Sequence, residues 1–287
     1  MTAEIINGKE VAKNKREELG NEVAKLTQQG LTPGLVVILV GNDPASLSYI
    51  RGKQKAAEEI GVHFKLEHFE ETLSETELLD VIENYNQDSR FHGILVQLPL
   101  PKHINETAVI EKISPEKDVD GFHPVNVGRM LTGQDTFLPC TPAGIVELLK
   151  ITNVELTGKH VVVIGRSNLV GKPVGQLLLN ENATVTYCHS RTKNLSELTK
   201  QADILIVAVG RANFIGGKDI KEGAVVIDVG VNRLENGKLC GDVHFDEAKE
   251  VASYLTPVPG GVGPMTITML AHNTVKSAKQ TLQKSHV

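Results

Sequence analysis

Among the chain's 287 residues, the side chains whose types and spacing suit proton chemistry gather in one stretch, and those suited to holding a phosphate gather in another. In the first stretch Tyr49 and Lys53 stand four apart in a segment that reads as helix, so they share a face. Gly52 lies between them, and glycine inside a helix costs about 1 kcal/mol relative to alanine. Close approach of a ligand or of another backbone would account for it. Lys53 can equally belong to a solvated face with Arg51 and Lys55. Gln97 follows the apolar run GILV, in a loop stiffened by Pro99 and Pro101. Asp118 and Asp120 flank Val119 just before Gly121, where a turn or capping role competes with a place facing a ligand.

The second stretch is VVVIGRSNLVGKPVGQLLL (161–179), which sets a strand, a turn and a helix start in succession. Gly165 permits the tight turn and Gly171 lets backbone approach phosphate, while the open N–H groups of a helix start favour an anion. The spacing departs from GxGxxG, because Ser167 stands where the second glycine would be; an ordinary strand-to-helix turn is the alternative. NAD sites place an acidic residue about twenty positions on, against the ribose 2′-hydroxyl. Here TVTYC is followed by His189-Ser190-Arg191-Thr192, with no Asp or Glu. Arg166, Ser190 and Arg191 suit a 2′-phosphate through charge-assisted hydrogen bonds. The expected cofactor is therefore NADP, with a solvated surface cation as the other reading of Arg191. Gly230 and Val231 end a further apolar strand, where backbone can meet a nicotinamide carboxamide or simply turn.

The elements that must position these residues alternate strand and helix, the pattern of parallel sheets with helical crossovers. Residues 9–29 read as an amphipathic helix stopped at Gly30, and LVVILV (35–40) as a strand buried on both faces. Asp43 and Pro44 read as N-cap and first-turn proline of a helix running to about Ile60. Strands follow at 62–69 and within 91–101, with a helix at 74–86 between them. The segment 114–140 is rich in Gly, Pro and Asp and reads as loops with a short helix near Val125–Leu131. Thr141 and Pro142 open a helix to about Lys150. Strands at 161–165, 184–188, 203–210 and 224–230 form a second series, and Asn236-Gly237 marks a hairpin. A loop at 256–266 leads into a long last helix.

Composition narrows the partners. Hydrophobic residues make up 40% and charged residues 23%, as in globular chains. A net charge of −5 and 4% aromatics give no footing for nucleic acid or an anionic membrane. Three scattered cysteines (Cys140, Cys188, Cys240) suit neither a disulfide framework nor a zinc knuckle, and no histidine spacing suggests a metal. MTAEIINGKEVAKNKREE lacks the apolar core of a signal peptide and no run is long enough to span a bilayer, so a cytoplasmic location is expected.

Six blocks occur in order: VGNDPASLSYIRGKQKAAEEIGV (40–62), GILVQLPLP (93–101), PEKDVDGFHPVNVGRM (115–130), PCTPAG (139–144), GRSNLVGKP (165–173) and PVPGGVGPMT (257–266). Together they resemble the bifunctional methylenetetrahydrofolate dehydrogenase/methenyltetrahydrofolate cyclohydrolase family. The resemblance implies NADP-dependent oxidation of 5,10-methylenetetrahydrofolate, then hydrolysis to 10-formyltetrahydrofolate, within one-carbon metabolism and purine biosynthesis. It implies Lys53 as the central catalytic residue, Gln97 tuning its basicity, Tyr49 beside the folate and Asp120 on the pterin edge. Leu98, Pro99, Gly260, Gly261 and Pro264 would add substrate contacts. A lysine facing a cationic intermediate has its charged form disfavoured, which suits general acid/base work near neutrality. The implied architecture is α/β, with a catalytic domain at 1–140 rejoined by a helix at 265–287, and a Rossmann-type NADP domain at 141–264. The chain would cross twice between them, with the active-site cleft between the two and the NADP domains pairing in a homodimer. A dehydrogenase lacking the hydrolase, a cofactor-binding sensor, and a Rossmann-type amino-acid dehydrogenase are the rival readings; the last would lack KDVDG and PGGVGP.

Overall fold

Runs of consecutive apolar residues become the strands of two separate parallel sheets in the computed structural model, which describes residues 2–284. The chain opens with β1 (Glu4–Ile5), α1 (Gly8–Gln28), β2 (Gly34–Val40), α2 (Pro44–Glu59), β3 (His63–Phe69), α3 (Glu75–Gln87) and β4 (Gly93–Val96). Three helices follow: α4 (Glu106–Lys112), α5 (Pro124–Leu131) and α6 (Cys140–Lys150). The second series is β5 (His160–Ile164), α7 (Gly171–Asn180), β6 (Thr184–Cys188), α8 (Leu195–Thr199), β7 (Ile204–Val207) and β8 (Val225–Asp228). The antiparallel pair β9 (Asn232–Arg233) and β10 (Leu239–Cys240), α9 (Phe245–Lys249), β11 (Tyr254–Leu255) and α10 (Val262–Lys284) complete it.

Two compact units result. One gathers the residues up to Ala12 with Thr141–Thr266; the other gathers Lys13–Cys140 with the chain from Ile267 onward. The chain passes between them three times, within α1, α6 and α10, where the sequence suggested two crossings. The additional crossing arises because β1 pairs in parallel with β11, Glu4 opposite Tyr254. The first residues, expected with the catalytic part, thus add an edge strand to the other sheet. The expected helix at 265–287 begins earlier, at Val262, and its residues 285–287 lie outside the described ones.

In the unit around 13–140 the sheet order is β3-β2-β4. All seven residues of β2 are buried, as expected for the central strand of a covered parallel sheet. Val36, Ile38, Leu78, Ile82 and Ile94 form the core on one face. The edge strand β3 has no fully buried residue. Helix α2 starts where the sequence places it: the Asp43 carboxylate accepts from Ser46 N at 2.7 Å and from Ser46 Oγ at 2.8 Å, with Pro44 in the first turn. Helix α3 starts on a capping box between Ser74 and Glu77. Helix α4, capped by Asn105, falls in a stretch the sequence left unassigned.

The other unit carries a six-stranded parallel sheet of order β1-β11-β8-β7-β5-β6. Chain order reverses on either side of β5, so the crevice at the carboxyl ends of β5 and β7 is where such sheets take ligands. Val162, Ile164, Leu205, Val207 and Val226 are all buried in its core. The Asn236-Gly237 hairpin forms as expected, Gly237 taking φ +78°.

Candidate active site

Lys53 points into the interior from α2 and is 9% exposed, so the solvated-face alternative does not hold. Its Nζ donates to Gln97 Oε1 at 2.8 Å. Gln97 sits one residue beyond β4, and its own Nε2 donates to the Leu98 carbonyl at 2.6 Å. That second bond turns the amide so that its acceptor oxygen faces the lysine. Burial holds the Lys53 ammonium below its ordinary range, opposed by attraction to Asp120 and then to Cys140. Burial likewise pushes the Asp120 carboxyl up, with Lys53 pulling it down. Lysine, amide and carboxylate therefore form one electrostatic cluster, gathered from α2, the end of β4 and the 118–121 loop.

The two aspartates of that loop separate into different roles. Asp118 is buried, and its carboxylate accepts from Phe122 N at 3.2 Å, His123 N at 2.8 Å and Asn126 Nδ2 at 2.8 Å. It organises the entry to α5, which settles its competing readings in favour of the turn. Asp120 is half-buried beside Lys53. Gly121 holds φ +76°, and a Cβ there would lie 2.7 Å from the Leu138 carbonyl carbon, so only glycine fits this crossing. Tyr49 shares the helix with Lys53 and is 40% exposed. Leu98 is half-buried and Pro99 exposed, the peptide between them cis.

A Cβ on Gly52 would lie 3.0 Å from Ile267 Cδ1 of α10, so the protein neighbour that approaches it is a side chain and not another backbone. Sequence reasoning missed Cys140 and Asn273. The Cys140 thiol donates to the Val119 carbonyl at 3.3 Å, and burial pushes it well above its ordinary range. Asn273 Nδ2 donates to the carbonyls of Val119 at 2.8 Å and Leu138 at 3.0 Å, tying α10 to the Asp120 loop. Cys140 entered the sequence reading only within the PCTPAG block and as one of three scattered cysteines; no local pattern marks Asn273.

In the other unit Gly165 takes φ +130° at the end of β5, and a Cβ would lie 2.4 Å from the Ala208 carbonyl oxygen. Gly171 leaves no more room, since a Cβ would meet Gly165 O at 2.4 Å. That glycine therefore packs the helix start onto the turn itself. The expectation of open amides there needs correction. Ser167 Oγ accepts from Val170 N at 3.1 Å and Gly171 N at 3.2 Å, and the Ser167 carbonyl accepts from Lys172 N at 3.0 Å. Ser167 thus replaces the second glycine as a local cap. Arg166 and Ser167 are exposed beside this turn, and Ser190 and Arg191 are exposed after β6. Val231 is 48% exposed beyond β8. Gly260 takes φ +109° and its carbonyl accepts from Lys9 N at 3.2 Å. Gly8 lies against Gly261, where a Cβ on Gly8 would fall 1.9 Å from the Gly261 carbonyl oxygen. Gly260 and Gly261 therefore belong to the six-stranded unit, and Pro264 lies in the first turn of α10.

Both units match known families. Residues 6–120 match the catalytic domain of tetrahydrofolate dehydrogenase/cyclohydrolase, and residues 139–282 match the NAD(P)-binding domain of the same enzymes. The bifunctional protein FolD of Bacillus subtilis (strain 168) is 75% identical over 282 residues, covering 98% of this chain and all of that protein. The crystal structure of the bifunctional FolD dehydrogenase/cyclohydrolase of Campylobacter jejuni superposes with a TM-score of 0.96 at 50% identity, over 97% of this chain and 99% of that one. The Trypanosoma brucei enzyme complexed with NADP and an inhibitor gives 0.95 at 40% identity, over 98% and 99%. With both units and nearly the full length accounted for, the chain belongs to the tetrahydrofolate dehydrogenase/cyclohydrolase family.

Proposed function

We propose that the protein oxidises 5,10-methylenetetrahydrofolate with NADP⁺ and hydrolyses the resulting 5,10-methenyl cation to 10-formyltetrahydrofolate. The observation that carries the hydrolase half is the buried Lys53 held by Gln97 at 2.8 Å. A lysine whose ammonium is disfavoured by burial exchanges protons nearer neutrality than an exposed one. In the hydrolysis a water oxygen bonds to the methenyl carbon, one ring C–N bond breaks, and one proton is released. Lys53 takes and returns protons in that step, Gln97 holds its Nζ in place, and Asp120 offers its carboxylate to the amino-pyrimidine edge of the pterin. Tyr49, Leu98 and Pro99 supply further substrate surface, with Gly260, Gly261 and Pro264 contributing from the PGGVGP segment.

NADP, when bound, supplies the hydride acceptor of the oxidation. The residues present fit it. Gly165 makes a tight turn that a Cβ would block, 2.4 Å from the Ala208 carbonyl oxygen, and the turn after β6 carries no carboxylate to repel a 2′-phosphate. Arg166, Ser190 and Arg191 are exposed there to bind that phosphate, and Val231 lies at the strand edge for the nicotinamide amide. A cytoplasmic homodimer supplying purine biosynthesis with formyl groups completes the reading; among the described residues no helix is long and apolar enough to cross a membrane.

The test is to mix the purified protein with methylenetetrahydrofolate and NADP⁺ and to follow NADPH and methenyltetrahydrofolate. Absence of NADPH sinks the dehydrogenase. Lys53→Ala is expected to abolish hydrolysis and keep NADP binding; retained hydrolysis removes the lysine from the mechanism.

A further inference from the structure

Asp242 has no assigned role, yet its carboxylate joins two turns at the carboxyl edge of the six-stranded sheet. It is fully buried, 0% exposed. Oδ2 accepts from Val209 N at 2.7 Å and Gly210 N at 2.9 Å, while Oδ1 accepts from Arg211 N at 2.8 Å and Asn232 Nδ2 at 2.9 Å. The first three donors belong to the turn after β7 and the fourth to the segment after β8. Both turns lie against the proposed dinucleotide site. Val209 directly follows Ala208, whose carbonyl oxygen is the atom that closes off Gly165, and Asn232 directly follows exposed Val231. The packing leaves no slack: a Cβ on Gly230 would fall 2.2 Å from Asp242 Cγ. Asp242 is itself held by Asp228, whose Oδ1 accepts from Asp242 N at 2.9 Å and from Gly230 N at 3.0 Å.

We propose that Asp242 is a positioning residue for the dehydrogenase, setting the 209–211 and 231–232 turns in the arrangement that NADP binds. This rests on the NADP reading above. The carboxylate suits the task because it only accepts, and two donors converge on each oxygen. An asparagine of nearly equal volume presents N–H groups to one pair of N–H donors, so in either orientation the 209–211 turn loses at least one of its bonds.

The test is Asp242→Asn in the full-length protein, with three readings: KM for NADP⁺ in methylenetetrahydrofolate oxidation, the rate of methenyltetrahydrofolate hydrolysis, and the thermal melt. Hydrolysis consumes no dinucleotide and serves as the internal reference. The expected result is a KM for NADP⁺ raised roughly ten-fold or more, with hydrolysis within about two-fold of wild type. A folded variant with unchanged KM overturns the proposal, and so does hydrolysis that falls in parallel with oxidation. Should Asp242→Asn fail to fold, Asn232→Ala removes a single donor from a half-buried side chain. It is expected to raise KM a few-fold, and no change there is equally fatal. A wild-type protein that turns over no NADP⁺ defeats the cofactor reading itself; wild-type turnover with an indifferent variant defeats the positioning role alone.

Discussion

Replacing Gln97 by glutamate places a carboxylate where the amide oxygen now lies, 2.8 Å from Lys53 Nζ. At that separation, with an effective dielectric constant of about 20, the attraction is roughly 6 kcal/mol. Desolvating the new carboxylate takes back several kcal/mol. The balance is consistent with the ~1–3 units by which an opposite charge at contact shifts an ionisable group, or about 1.4–4 kcal/mol. The sign is upward, because the carboxylate favours the ammonium that burial now disfavours. At any given pH the neutral, proton-accepting form of Lys53 becomes roughly 10- to 1000-fold rarer. Gln97→Met removes the acceptor without adding charge and moves the lysine the other way. The assay is the enzyme-catalysed rate of methenyltetrahydrofolate hydrolysis as a function of pH for the three proteins. The alkaline-rising limb is expected to shift up for Gln97→Glu and down for Gln97→Met. Profiles that superimpose after scaling would refute the claim that Gln97 tunes Lys53.

Three further outcomes are expected. Asp118→Ala leaves three donors of the α5 entry without their acceptor; at about 1–3 kcal/mol for each buried one, the melt should fall by roughly 6 °C or more, and an unchanged melt would show that the loop holds without it. Replacing both Arg166 and Arg191 by alanine should weaken NADP⁺ roughly 10- to 100-fold and leave NAD⁺ nearly unaffected, as measured by KM for each; parallel losses would contradict 2′-phosphate recognition. Asp228 is buried at 4% exposure and burial raises its carboxyl from 3.8 to about 7, against three backbone N–H donors. A raised folded value means a contribution fully present below pH 3.8 and lost as pH climbs through 7. Over that window the wild type should lose up to about 4 kcal/mol relative to Asp228→Asn, in denaturant titrations at pH 4, 5.5 and 7. Parallel stability curves would place the carboxyl near its ordinary range.

What local chemistry dictates was legible without coordinates. The apolar run at 35–40 became the buried strand Gly34–Val40, and Asp43-Pro44 opened its helix, because strand burial and helix capping depend on neighbours within a few residues. The order of the blocks around Lys53, Gln97, Asp120 and Gly165 was enough to name the family. Tertiary structure alone decided which of these groups meet. The Lys53–Gln97 bond spans 44 positions and forms because β2, which leads into α2, pairs in parallel with β4, which ends just before Gln97. Residue type and position offered Asp118 and Asp120 the same two readings, and the resemblance alone singled out Asp120; in the fold Asp118 accepts from three N–H donors while Asp120 interacts with the lysine. Gly52 lies against Ile267, and β1 joins β11, from opposite ends of the chain. No periodicity or cap encodes such partners: they follow from which buried surfaces close on one another, and a buried donor or acceptor takes whatever partner that closure brings.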